Sequence, residues 1–156
     1  ITSSRHLGIW GGSNGGLLVG AVMTQRPELF HAVVCEVPLL DMLRYNKLLA
    51  GASWVGEYGN PDIAEERAYI EKYSPYQNLR ADQKYPEAYF FTSTKDDRVH
   101  PGHARKMVAK LRSMNHPVLY YENTEGGHGG AANLEQRILN RSLIYSYLWQ
   151  KLEEAH

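Results

Sequence analysis

The sequence predicts an α/β fold with a mostly parallel sheet of about four strands and helices on both faces. Three observations support this prediction. Short apolar runs alternate with longer segments in which apolar residues have helical spacing, a glycine-rich turn separates the first run from the first helix, and proline and glycine mark the element ends. The 156 residues have the length of one domain.

The predicted elements alternate along the chain. Strands are expected at residues 7–10, 31–37, 88–93 and 118–121. The first helix is expected between the glycine-rich turn and Pro27. A short helix is expected after Asp41, which would cap it, and this helix is expected to bury four apolar side chains: Met42, Leu43, Leu48 and Leu49. Further helices are expected at 62–73, 101–114 and 132–152, with a loop at 51–61.

The composition excludes several classes of partner. Seventeen basic residues balance 17 acidic residues, so there is no electrostatic reason to expect binding to nucleic acid or to an anionic membrane surface. No apolar stretch approaches the roughly 20 residues that span a bilayer. Cys35 is the only cysteine, so no disulfide can form within the chain, and its apolar surroundings indicate a buried side chain. No signal-peptide pattern is visible, which favours a cytoplasmic location.

The first glycine-rich turn carries the strongest chemical motif. Residues 11–15 fit the pattern G-x-S-x-G, with a predicted strand before them and a predicted helix after them. This is the nucleophile elbow of α/β-hydrolases, in which a strained turn lifts the serine hydroxyl clear of the sheet. Ser13 is therefore the candidate nucleophile, and the backbone N–H of Asn14 is a candidate donor to the oxyanion.

A serine nucleophile needs a histidine base and a carboxylate that orients the histidine. In α/β-hydrolases the three residues occur along the chain in the order serine, carboxylate, histidine. Asp96 and Asp97 follow the third predicted strand, and His128 follows the fourth, between two pairs of glycines. Order and placement both predict a Ser-His-Asp triad, and the residues alone leave the two aspartates equally good candidates. No histidine has the companions of a metal site, and residues 11–18 lack a phosphate-binding pattern, so neither metal nor cofactor is expected.

Three segments in this order resemble the catalytic domain of the prolyl oligopeptidase family: residues 11–18, 95–99 and 126–129. Trp54 with residues 58–59, and residues 73–75, resemble the same family. The resemblance implies that Asp96 is the triad carboxylate and that Arg98 contacts a main-chain carbonyl of the substrate. It also implies that Trp54 stacks on a proline ring of the substrate in a pocket lined by three further residues: Tyr58, Val99 and Asn14.

The resemblance also shows what the sequence lacks. Members of the family carry an N-terminal β-propeller and about eight strands in the catalytic domain, and a tyrosine outside the matching region supplies a second oxyanion donor. Residues 1–156 are therefore expected to form a single catalytic domain truncated on its N-terminal side. An open, truncated site favours small esters, so we expect carboxylesterase activity with a prolyl-peptidase ancestry. The alternative is a peptidase fragment that is inactive alone and acts as an oligomerisation or interaction module.

The predicted elbow strand has a further consequence. This strand is central in α/β-hydrolases, but here no strand precedes it, so residues 7–10 would form an exposed apolar edge. We expect this edge to pair either with a second copy of the chain, giving a homo-oligomer, or with a missing N-terminal segment. The expected substrate is a small ester or a peptide.

Overall fold

The computed structural model describes residues 2–153. Its centre is a sheet of four strands in the order β1-β2-β3-β4, and all three neighbouring pairs are parallel. The strands are β1 (Gly8–Gly12), β2 (Ala32–Glu36), β3 (Ala88–Ser93) and β4 (Val118–Asn123). The predicted parallel sheet is confirmed, and the carboxyl ends of its strands meet at one edge.

Within the described residues, five α-helices connect or follow the strands: α1 (Asn14–Gln25), α2 (Val55–Tyr58), α3 (Ala64–Ile70), α4 (Gly102–Ser113) and α5 (Leu134–Glu153). Four short 3-10 helices complete the described secondary structure: Ser4–His6, Pro27–Leu29, Tyr45–Lys47 and Leu49–Trp54. None of the helices within residues 2–153 is both long enough and apolar enough to cross a membrane.

Helices cover both faces of the sheet because successive strand residues point to opposite sides. On one face, Val33 and Cys35 pack with side chains of α1 and α4, including Met23 and Met107. On the other face, Val34 packs with side chains of α5. The sheet is therefore the middle of three layers, as an α/β fold requires.

The segment after β2 differs most from the sequence-based prediction. Asp41 does not cap a helix; its side chain is buried and forms an ion pair with Lys106. The chain then forms two 3-10 helices, and Leu49 is 51% exposed instead of buried. The predicted loop at 51–61 contains α2, and the predicted surface helix is shortened to Ala64–Ile70. Buried contacts between distant segments decided these local conformations.

β1 lies at one edge of the sheet and, among the described residues, pairs only with β2. Its Trp10 is 38% exposed. The indole N–H of Trp10 donates a hydrogen bond to Glu36, and its ring packs edge-on against Tyr145 of α5, with the ring centroids 5.8 Å apart. The elbow strand is thus an edge strand in this chain.

Candidate active site

Ser13 occupies a strained turn between β1 and α1. Its backbone has φ 56° and ψ −117°, a conformation that L residues rarely adopt. Crowding explains two of the neighbouring glycines: a Cβ at Gly11 would lie 2.3 Å from the carbonyl oxygen of Gly15, and one at Gly16 would lie 2.7 Å from Pro38. The backbone N–H of Ser13 donates to the carbonyl of Glu36 at 2.9 Å, which fixes the turn against β2.

The loop after β4 brings His128 to Ser13 across the carboxyl end of the sheet. His128 Nε2 lies 3.1 Å from Ser13 Oγ, and His128 Nδ1 lies 2.8 Å from one carboxylate oxygen of Asp96 and 3.0 Å from the other. A neutral imidazole that donates from Nδ1 to Asp96 keeps Nε2 free to accept the serine proton. Asp97, by contrast, is exposed and has no such contact with His128.

The carboxylate of Asp96 is held firmly. The residue is 4% exposed, and one carboxylate oxygen accepts the backbone N–H groups of Arg98 at 3.0 Å and Val99 at 2.9 Å. The turn after β3 therefore orients the side chain that in turn orients His128. Sequence order alone left Asp96 and Asp97 open, and the structure brings Asp96 to the histidine.

Two asparagines that no sequence motif predicted hold the loop of His128. Asn123, at the end of β4, accepts the backbone N–H groups of Glu125 and Gly126, each at 2.9 Å. Asn123 and Asn140 both donate to the carbonyl oxygen of Gly130, at 3.2 and 2.7 Å. Gly130 has φ +81°, which favours glycine. The only hint in the sequence was a polar residue, Asn140, on the otherwise apolar face of the last predicted helix.

Asn14 begins α1, so its backbone N–H points out of the helix N-terminus next to Ser13. Its side-chain oxygen accepts a hydrogen bond of 2.6 Å from the hydroxyl of Tyr58. Burial raises the pKa of Tyr58 to about 12, so the hydroxyl keeps its proton at neutral pH. Tyr58 also packs edge-on against Tyr45, with the ring centroids 5.5 Å apart.

The structure brings three of the predicted substrate-binding residues together. Trp54 and Tyr58 pack, half-buried, against a buried cluster that contains Val99 and Leu17. A cavity of about 490 Å³ opens beside Tyr58 and Asn14; it is bounded mainly by Leu17, Leu18, Tyr69 and Tyr73. Tyr69 and Tyr73 were not expected there. The side chain of Arg98 is exposed, and its backbone N–H donates to Asp96 of the triad.

A buried histidine fixes the segment after β2. Buried His103 of α4 accepts the backbone N–H groups of Leu40 at 3.2 Å and Asp41 at 3.0 Å through Nδ1. Its burial lowers the pKa of His103 to about 4, so the ring is neutral at neutral pH. No group of three or more histidine, cysteine, aspartate or glutamate side chains within residues 2–153 is arranged to hold a metal ion.

The chain is similar to known peptidases over nearly its whole length. Residues 1–155 match the model of the prolyl oligopeptidase family. The sequence is 56% identical over 152 residues to an uncharacterized peptidase of Sinorhizobium fredii, covering 97% of this chain and 21% of that protein. It is 41% identical over 150 residues to a prolyl endopeptidase of Elizabethkingia miricola, covering 94% of this chain and 21% of that protein.

A solved structure agrees with this relationship. The post-proline cleaving enzyme of Rickettsia typhi superposes with a TM-score of 0.93 at 44% identity, covering 97% of this chain and 22% of that one. The chain therefore spans about a fifth of the length of the relatives it matches. These relatives are peptidases, and the expectation of a carboxylesterase acting on small esters is therefore not supported.

Proposed function

Because this chain belongs to the prolyl oligopeptidase family, we propose that it supplies the catalytic residues of a serine peptidase that cleaves peptides after proline. The observation that carries the proposal is the chain of contacts from Ser13 Oγ through His128 to Asp96. Two relatives, a prolyl endopeptidase and a post-proline cleaving enzyme, support proline as the residue before the cleaved bond.

In the proposed reaction, Ser13 Oγ attacks the carbonyl carbon of the peptide bond, and its proton passes to Nε2 of His128. Asp96 keeps the imidazole oriented and stabilises its protonated form. The C–N bond then breaks, the leaving nitrogen takes the proton from Nε2, and an ester with Ser13 remains. Water attacks this ester with His128 again as base, which releases the acid and restores the serine hydroxyl.

The developing oxyanion needs preorganised donors. We propose that the backbone N–H of Asn14 is one of them, since it lies at the helix N-terminus directly after the nucleophile. We further propose that Trp54, Tyr58 and Val99 contact the proline ring, because they pack in one cluster next to α1. The exposed guanidinium of Arg98 is proposed to bind a carbonyl of the substrate main chain.

The first test is covalent labelling with a fluorophosphonate, which reacts only with an activated serine. Labelling is expected at Ser13, and it should disappear in Ser13→Ala but persist in Ser113→Ala, which removes an exposed hydroxyl on α4. Hydrolysis of a proline anilide should exceed that of the matched alanine anilide. Absence of labelling would contradict the triad, whereas labelling with equal rates on both anilides would contradict the preference for proline.

We also propose that the free edge of β1 pairs with another strand, from a second copy of the chain or from another segment of polypeptide. The edge is favoured as a pairing site because, within residues 2–153, Gly8–Gly12 pairs with β2 on one side only. Unpaired strand edges associate readily. Light scattering coupled to gel filtration, with hydrogen exchange at β1, tests this proposal. A monomer with rapidly exchanging β1 amides would contradict it.

A further inference from the structure

The leaving part of the substrate needs its own surface, and this inference rests on the proposed function. In that reaction His128 gives its proton to the leaving nitrogen, so the residues after the cleaved bond must lie on the His128 side of Ser13. The residues proposed to contact proline, such as Trp54, lie instead in the cluster with Leu17 of α1. The two halves of a substrate would therefore meet different surfaces.

A cavity of about 130 Å³ lies directly against His128. Gly12, immediately before the nucleophile, and Gly129, immediately after the histidine, form part of its wall. Val37 and Phe91 contribute apolar surface, and the charged side chain of Arg141 from α5 stands at its border. An extended residue spans about 3.5 Å, so one or two residues after the cleaved bond would bring their chain end across this space.

Two of the glycines in this wall are not required by crowding. A Cβ at Gly12 would lie 3.6 Å from the nearest atom, which is ordinary contact, and one at Gly129 would meet nothing within 4 Å. Gly11, in contrast, could not carry a side chain without a clash at 2.3 Å. Gly12 and Gly129 could therefore carry a Cβ without a clash. Because glycine has no side chain, both positions leave space beside His128.

The wall also contains a strained residue. Val37 has φ +37°, which is a marked outlier for a β-branched side chain. Its backbone N–H donates to the carbonyl of Phe91 at 2.7 Å, and this hydrogen bond helps to hold the strained conformation. Backbone strain of this kind is concentrated at functional sites, where the surrounding structure maintains it.

Arg141 supplies the polar recognition group of the cavity. Its side chain is 46% exposed, its Nη1 lies 3.2 Å from a carboxylate oxygen of Glu36, and its guanidinium lies 4.9 Å from the centre of the Trp10 ring. These contacts orient the guanidinium. An arginine has five N–H donors, and a single carboxylate oxygen of Glu36 cannot accept all of them. The planar guanidinium therefore keeps donors that match the geometry of a second carboxylate.

We propose that this cavity binds the leaving side of peptide substrates, and that Arg141 recognises the free α-carboxylate of a peptide that ends one or two residues after the cleaved bond. Glu36 also lines the cavity, beside Arg141, and its carboxylate reduces the local positive charge. Recognition therefore depends on the directed N–H groups of Arg141, and a moderate preference for the acid form is expected.

The test uses two blocked peptides with the sequence Gly-Pro-Ala, one ending in a free carboxylate and the other in an amide. Each protein is first titrated with a fluorophosphonate, so that kcat/KM is expressed per reactive Ser13. The native protein is expected to prefer the acid by on the order of tenfold. Arg141→Gln should reduce this ratio to about one, and Arg141→Lys should keep part of it. Arg137→Gln, an exposed arginine one turn earlier on α5, is the matched control and should keep the full ratio.

Each outcome has a distinct meaning. A ratio near one in the native protein, or an unchanged ratio in Arg141→Gln, overturns the assignment of Arg141 while leaving the proposed peptidase intact. A ratio that falls equally in Arg137→Gln also overturns it, because a general charge effect would then explain the preference. Failure of the fluorophosphonate to label Ser13 overturns the proposed function and this inference with it.

Discussion

The hydroxyl of Tyr58 donates a hydrogen bond of 2.6 Å to the side chain of Asn14, the residue that follows Ser13. Tyr58 is one of the residues proposed to contact the proline ring, and the backbone N–H of Asn14 is the proposed oxyanion donor. The hydrogen bond therefore connects substrate binding to the oxyanion donor. A substrate side chain that moves Tyr58 would thereby shift the donor at the helix N-terminus. Binding and catalysis are expected to be coupled at this point.

Tyr58→Phe removes only this hydroxyl. We expect kcat/KM for a proline anilide to fall about two- to tenfold, the effect of one net hydrogen bond, with part of the loss in kcat. Tyr69→Phe is the matched control, since its ring lies in the same region but is largely exposed. An effect confined to KM would mean that the hydrogen bond shapes the pocket without influencing the oxyanion donor.

The neighbouring aspartates give a paired test of the triad. Asp96→Asn is expected to lower kcat by on the order of 10⁴, because an amide cannot hold the histidine in the required tautomer or stabilise its protonated form. Asp97→Asn should change kcat by less than about twofold, because the carboxylate of Asp97 is exposed and does not contact His128. Steady-state rates with a proline anilide measure both. Equal losses in the two variants would contradict the proposed role of Asp96.

Asn140 is expected to support the histidine loop. Asn140→Ala removes one of two donors to the carbonyl of Gly130, so the free energy of unfolding should fall by about 1–3 kcal/mol. We also expect kcat to fall more than KM rises, since the loop carries His128. Urea denaturation and steady-state kinetics measure the two effects. Gln150→Ala, an exposed amide on the same helix, should change neither.

Buried His103 makes stability depend on pH. Its pKa is about 4 in the folded protein and near 6.5 in the unfolded chain, so the unfolded chain binds the extra proton between these values. The resulting stabilisation is complete above pH 6.5 and is lost as pH falls towards 4, by up to about 3 kcal/mol. Asp41, Lys106 and His100 are the charged or titratable groups that act on it.

Urea denaturation at pH 7 and pH 4.5 measures this dependence. His103→Gln keeps an acceptor for the backbone N–H groups of residues 40 and 41 but cannot titrate, so the difference between the two pH values should shrink. His31→Gln, which changes an exposed histidine, should keep the native difference. An identical pH dependence in native protein and His103→Gln would assign the effect to other groups.

Features that depend on neighbouring residues could be predicted from the sequence. Alternation of apolar runs and helical segments predicted the parallel sheet, and residues 11–15 predicted the turn at Ser13, because strand, glycines and helix are contiguous there. The order of Ser13, the aspartates and His128 predicted a triad, since the carboxyl ends of parallel strands meet at one edge.

Features that depend on distant segments became visible only in the folded chain. Residue order left Asp96 and Asp97 equal, and only the family resemblance favoured Asp96. Packing across the sheet brings Asp96 to His128, 32 residues away in the chain, and places Asn140 against the carbonyl of Gly130 in the loop of His128. It also turned the expected helix cap Asp41 into a buried partner of Lys106, 65 residues away. Direction and burial of a side chain depend on packing across the sheet, and local sequence does not contain that information.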